Sequence, residues 1–121
     1  MTMVTKTAKT LDEGISIMMT AAKQDYVDWS TKSDRDGLSN YAKEQIAQWD
    51  AKTKVTYGKK YIKIVHDTGV FCFVMQEDEG RFKKGDILKA AGWNAPALNS
   101  PRGNVLTGNY PIQWTGPLYL K

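Results

Sequence analysis

The sequence contains one cysteine, one histidine and no long apolar run, and each scarcity narrows what the chain can be. Cys72 alone cannot close an internal disulfide, and a lone thiol suits a reducing compartment. With His66 as the only imidazole, no zinc spacing of the usual Cys/His kind is present. A P-loop and a dinucleotide fingerprint are also missing. Val70 to Met75, the longest apolar run near the middle, is far short of the roughly 20 residues that cross a bilayer. The opening "MTMVTKTAKT" lacks the apolar stretch of about 7 to 15 residues that marks a secretory signal. These absences lead us to expect a protein of the cytoplasm, with no cofactor, no metal, no membrane contact and no enzymatic activity.

What is present is ordinary for a globular chain. Apolar residues make up 41% and charged residues 25% of 121 positions, so disorder is not the default and one domain over 1–121 is expected. The net charge of +4 is uneven: residues 1–57 carry eight Lys/Arg against eight Asp/Glu, and residues 58–121 carry nine against five. The positive excess of the second half suits an acidic or polyanionic partner.

The hydrophobic period divides the chain in the same place. Thr10 and Glu13 have the spacing of a capping box. Leu11, Ile15, Met18, Ala22, Tyr26 and Trp29 then recur at helical steps, which leaves Asp25 and Asp28 off the apolar stripe and solvated. Residues 30–37, "STKSDRDG", read as a polar turn. A second helix carries Leu38, Tyr41, Ala42, Ile46 and Trp49 on one face, capped by Asp36 or Ser39. From Tyr57 the pattern is that of strands. Residues 61–65 form one, and Val70 to Met75, apolar on both faces, reads as a central one. Further runs lie at 86–93, 103–107 and 118–120. The expected fold is α+β: two N-terminal helices within 1–57, antiparallel to each other or clasping the rest, then a small antiparallel sheet or open barrel within 58–121.

Three stretches, "KKYIKIV", "FKKGDILKAAGWNAPALNSPRGNVLTG" and "IQWTGPLYL", together resemble a family of small bacteriophage proteins. The marker is a Lys-Ala-Ala-x-Trp-x-Ala-Pro-Ala segment, here Lys89 to Ala97, followed by Arg102-Gly103-Asn104. Gly92 departs from the serine expected there. The resemblance brings no activity with it. It implies a phage accessory protein working in the host cytoplasm, non-enzymatic and bound to a host or phage protein.

Residues 85–110 keep no period, and Pro96 and Pro101 interrupt them. One reading is structural: Trp93 closes an end of the core, Ala95 to Ala97 cross over in extended form, and Arg102 pairs with a carboxylate or a helix C-terminus. The other makes the segment a binding surface. There Trp93, Tyr110 and Trp114 offer faces for a base, Asn94 and Asn104 read polar edges, and Arg102, Lys63 and Lys89 meet phosphate or carboxylate. A small nucleic-acid-binding module is therefore the alternative to a protein partner. His66 reads as a turn residue and Cys72 as a small core hydrophobe with a raised pKa. The oligomeric state is left open.

Overall fold

The computed structural model describes residues 2–33 and 38–117. Its elements run β1 (Thr2–Val4), α1 (Leu11–Ser33), α2 (Asn40–Ala47), β2 (Thr53–Tyr57), β3 (Tyr61–His66), β4 (Gly69–Met75), β5 (Ile87–Leu88) and β6 (Tyr110–Ile112). The α+β class holds, with antiparallel pairing throughout. The simple order of helices followed by sheet does not: β1 precedes both helices, and β2 lies inside the segment expected to be helical.

Helix α1 starts as its cap spacing requires. The Glu13 N–H donates to Thr10 Oγ1 at 3.1 Å, and the Glu13 carboxylate reaches back to the Lys9 N–H at 3.4 Å. Ile15, Met18, Ala22 and Tyr26 are buried as the stripe predicts, and Met19 beside them is buried as well. Gly14, a poor helix former by propensity, sits where the helix meets Val105, and a Cβ there would overlap the Val105 carbonyl oxygen. Close approach is what the glycine permits.

Two α1 residues differ from the periodic reading. Asp25 is buried rather than solvated: it accepts from Thr2 Oγ1 at 3.2 Å and from the Trp114 N–H at 3.0 Å, tying both ends of the chain to the helix. Burial pushes its pKa upward, but these and further hydrogen bonds prevail and hold the carboxyl below its ordinary value. Trp29 is 52% exposed, its ring lying across Trp114 at 5.3 Å instead of entering the core. The helix also continues to Ser33, into the stretch 30–37 expected to be a polar turn, and residues 34–37 of that stretch lie outside the described residues. Ser39 caps α2 by accepting from the Ala42 N–H at 3.1 Å, whereas Asp36 lies outside the described residues. Tyr41, placed on the apolar face by its spacing, is exposed, and Trp49 is buried just past the helix end.

The main sheet has the order β2-β3-β4-β5, and β1 and β6 form a separate pair. β4 is central, with Phe71 to Met75 all buried, as a strand apolar on both faces must be. One face carries Ile62, Ile64, Cys72, Val74 and Ile87 into a core shared with α1 and β6. The other gathers Phe73, Met75 and Leu88, with Tyr61, Val70, Phe82 and Ala90 packed on them. Only Ile87–Leu88 of the 86–93 run is a strand. Residues 103–107 form none, yet they close the edge of β5, through Ile87 N–H to Gly103 O at 2.8 Å and Val105 N–H to Gly85 O at 2.9 Å. The strand expected at 118–120 lies outside the described residues.

Candidate functional site

The segment after β5 doubles back on itself. The Ala97 N–H donates to Lys89 O at 2.7 Å, the Ala91 N–H to Ala95 O at 2.9 Å, and Ala90 bridges Pro96. Small residues on both arms let the arms approach, and buried Pro96 anchors one of them. The turn therefore points Trp93 and Asn94 outward at its tip. Trp93 is 55% exposed, so it does not close the core.

Lys63, from the middle of β3, braces this tip. Its Nζ lies 4.0 Å from the centre of the Trp93 ring and 3.4 Å from Asn94 Oδ1. Strand alternation places Lys63 opposite Phe73, on the face away from α1. Below the tip is a shallow cleft of about 420 Å³, lined by Tyr61, Lys63, Phe73, Asn94 and the turn bearing Lys59 and Lys60. Tyr61 and Phe73 meet edge to face at 6.1 Å in its floor. Lys60 pairs with Glu79 at 3.0 Å, and that bond raises its pKa. On the neighbouring loop Leu98 is exposed, its carbonyl held by Arg81 Nη2 at 2.6 Å.

The other predicted residues lie elsewhere and are engaged within the fold. Tyr110 is 1% exposed, so its ring offers no face for stacking. Trp114 packs edge to face on Tyr26 at 5.1 Å, on the side of α1. Asn104 Nδ2 donates to Lys84 O and to Asp86 Oδ1, each at 2.9 Å, while its Oδ1 accepts the Leu106 N–H at 2.8 Å. That side chain holds buried Asp86 and the turn after it. Arg102 Nη1 donates to Asn99 Oδ1 at 2.7 Å and Ser100 O at 2.8 Å, which stiffens its own loop. Lys89 Nζ donates to Pro117 O at 2.9 Å, and burial, then the charge of Arg102, lowers its pKa. Of the eight residues, Trp93, Asn94 and Lys63 come together.

Sequence reasoning did not include Tyr61 in the site. Its spacing from Lys63, two residues along a strand, places both on one face and was the available signal. His66 lies at the end of β3, its ring 4.0 Å from that of Trp49. Thr53 Oγ1 lies 3.0 Å from Trp49 O and 3.0 Å from His66 Nδ1, so one hydroxyl links the end of α2 to the imidazole. Burial lowers the His66 pKa, with Asp67 opposing and Lys52 adding to the effect. Cys72 is fully buried, with its pKa pushed far up by burial, and it pairs with Ile64 rather than facing His66. Among the described residues no group of three or more His, Cys, Asp or Glu could hold a metal, and no helix is long and apolar enough to cross a membrane.

Fold and site together define an α+β protein with a braced aromatic loop on the outer face of an antiparallel sheet. A family model described as a family of unknown function, DUF7717, matches residues 2–120, and the chain belongs to that family. No curated protein and no solved structure matches it.

Proposed function

We propose that the chain is a non-enzymatic binding factor that engages an acidic surface on another protein through the Trp93 tip. The observation that carries this reading is a half-exposed tryptophan at the end of a hairpin-like loop, with the Lys63 ammonium over its ring. Exposing an indole costs hydration free energy, and fixing it in place removes an entropy loss that binding would otherwise incur. Tryptophan is also the residue type most enriched among binding hot spots. Lys59 and Lys63 beside it, together with the positive excess of residues 58–121, favour a carboxylate-rich partner. The resemblance to phage proteins supports a host or phage protein as that partner and the host cytoplasm as the place of encounter.

Single-stranded nucleic acid is the second reading. The cleft under Trp93, with aromatic floor and lysine rim, has the parts to stack one base and meet its phosphate. It is the weaker reading because Tyr110 is closed inside the core and Trp114 is packed on α1, so two of three stacking faces are lost.

The test is purification of the tagged chain from host cells, with and without nuclease, beside a Trp93→Ala variant. A stoichiometric acidic protein that survives nuclease, is lost with Trp93→Ala, and binds the purified chain directly supports the proposal. Nucleic acid that accounts for all capture, with binding that falls steeply as salt rises, overturns it for the second reading.

A further inference from the structure

A second set of aromatic side chains gathers on the α1 side of the sheet, away from Trp93. Helix α1 carries Tyr26 and Trp29 one turn apart, and Trp114, two residues beyond β6, meets both, its ring 5.1 Å from Tyr26 and 5.3 Å from Trp29. Tyr26 continues the series to Trp49 at 6.0 Å, and Trp49 to His66 at 4.0 Å. With Tyr41 and Gln45 of α2 and the turn between β3 and β4, these rings line a cleft of about 410 Å³, within the size range of small-ligand sites. Tyr26 and Trp49 are buried there, but Trp29 is 52% and Tyr41 68% exposed, so two large rings face water at one cleft. An open aromatic surface of this kind is a mark of a ligand groove rather than of a closed core. Charged groups around it are few. No lysine or arginine lines the cleft among the described residues, and Asp67 is its one carboxylate. Asp67 takes φ 57° in the turn, with its N–H on Lys52 O at 2.9 Å, while its carboxylate makes no hydrogen bond or ion pair among the described residues. Gln45 Oε1 is already occupied by Lys52 Nζ at 2.8 Å.

We propose that this cleft binds a quaternary, methylated ammonium group. Aromatic rings attract a cation that comes within about 6 Å of a ring centre, and Trp is the strongest of them. A primary ammonium or a guanidinium would bring several N–H donors to a site with one unengaged carboxylate, and some would stay unpaired. A quaternary ammonium has no N–H to satisfy and offers methyl groups to the rings. Anions are disfavoured, since Asp67 repels them and no cation lines the cleft. Lys52, bonded to Gln45, opposes a bound cation, and Asp67 offsets that charge. Attraction to the rings, more than net charge, therefore sets the affinity, expected on the order of 1 mM. The group can belong to a free small molecule of the choline kind or to a methylated lysine side chain, because the recognising chemistry is the same. The proposal is independent of what Trp93 binds.

The four tryptophan indole N–H groups provide the assay, read in nitrogen–proton correlation spectra of the full chain. Choline chloride is expected to shift the Trp29 and Trp114 signals to saturation and to leave Trp93, on the other face, in place. The neutral alcohol 3,3-dimethylbutan-1-ol has the same shape without the charge and should bind about 5-fold more weakly or worse. Trp29→Ala should weaken choline binding about tenfold with an unchanged far-ultraviolet spectrum, because that side chain is half exposed. Asp67→Asn keeps a residue type that tolerates positive φ, removes the charge, and should weaken binding about 3-fold. A trimethyllysine peptide, run beside its unmethylated form, identifies the source of the group: tighter binding than choline assigns a side chain, and weaker binding assigns a free ligand. Absence of a saturable shift at Trp29 and Trp114 up to about 100 mM choline would overturn the proposal. So would equal affinity for the neutral alcohol, unchanged binding in Trp29→Ala, or shifts confined to Trp93.

Discussion

Replacing Trp93 with alanine separates a core tryptophan from a presented one. With 55% of the residue in solvent, roughly half of the 150 to 250 Å² that such a side chain can bury is covered, or about 100 Å². At ~25 cal/mol per Å² that is about 2.5 kcal/mol as an upper bound. The alanine Cβ keeps part of this area and the unfolded chain already hides some, so the expected loss is about 1 to 2 kcal/mol, including a cation–π share of about 0.5 to 1. A core tryptophan would cost about 3 to 5. Urea denaturation followed by circular dichroism resolves the two, with Ile64→Ala, fully buried on the α1 face, as the core reference. Partner binding in the same variant should fall by more than about 30-fold, the loss that a hot spot of about 2 kcal/mol represents. If Trp93→Ala unfolds as easily as Ile64→Ala, or if it binds the partner as the parent does, the tip is not a docking residue.

Gly14→Ala sets helix propensity against packing. Propensity alone predicts a gain of about 1 kcal/mol, but the added Cβ meets the Val105 carbonyl, so a loss of about 1 to 3 kcal/mol is expected by urea denaturation, and a gain would refute the packing. Stability should also depend on pH through His66. Its folded pKa lies below the ordinary 6.5, so the unfolded chain binds the proton more readily. The stability it provides is whole above pH 6.5 and is lost as pH falls through the lower folded value. Urea midpoints measured between about pH 7.5 and 5.5 should therefore decline in the parent and stay flatter in His66→Gln, since carboxylates titrate lower. An equal slope in both would exclude His66 as its source.

The legible parts of the fold are those in which period and burial agree over several residues. The α1 stripe from Ile15 to Tyr26 and the doubly apolar run of β4 gave their elements and their faces. β1 and β6 were not legible, since each spans three residues and the partner of each lies at the far end of the chain. Asp25 failed for a related reason: its step along the helix points to solvent, but the Trp114 N–H, two residues beyond β6, needs an acceptor there. Trp29 and Trp93 share one lesson. Spacing says which face a residue occupies, not whether anything covers that face, and the cover for both would have to come from elsewhere in the chain.

The aperiodic segment 85–110 is irregular because it meets several constraints in succession, none of which repeats at a fixed step. Lys89 to Ala97 must fold back tightly enough to set Trp93 over Lys63, which calls for small residues on both arms and a proline to end one of them. Residues 102–105 must then lie along β5, and there Gly103 takes φ 149° with Tyr110 against it, where any Cβ would overlap the tyrosine side chain. Burying Tyr110 thus requires glycine at 103, and Asn104 beside it must hold Asp86 because that carboxylate is taken into the interior with the β5 turn. The Arg-Gly-Asn triplet takes part in closing the sheet edge through the Arg102 N–H on Ile87 O, the Gly103 carbonyl on the Ile87 N–H and the Asn104 side chain on Asp86, and the closure leaves the Trp93 tip outside.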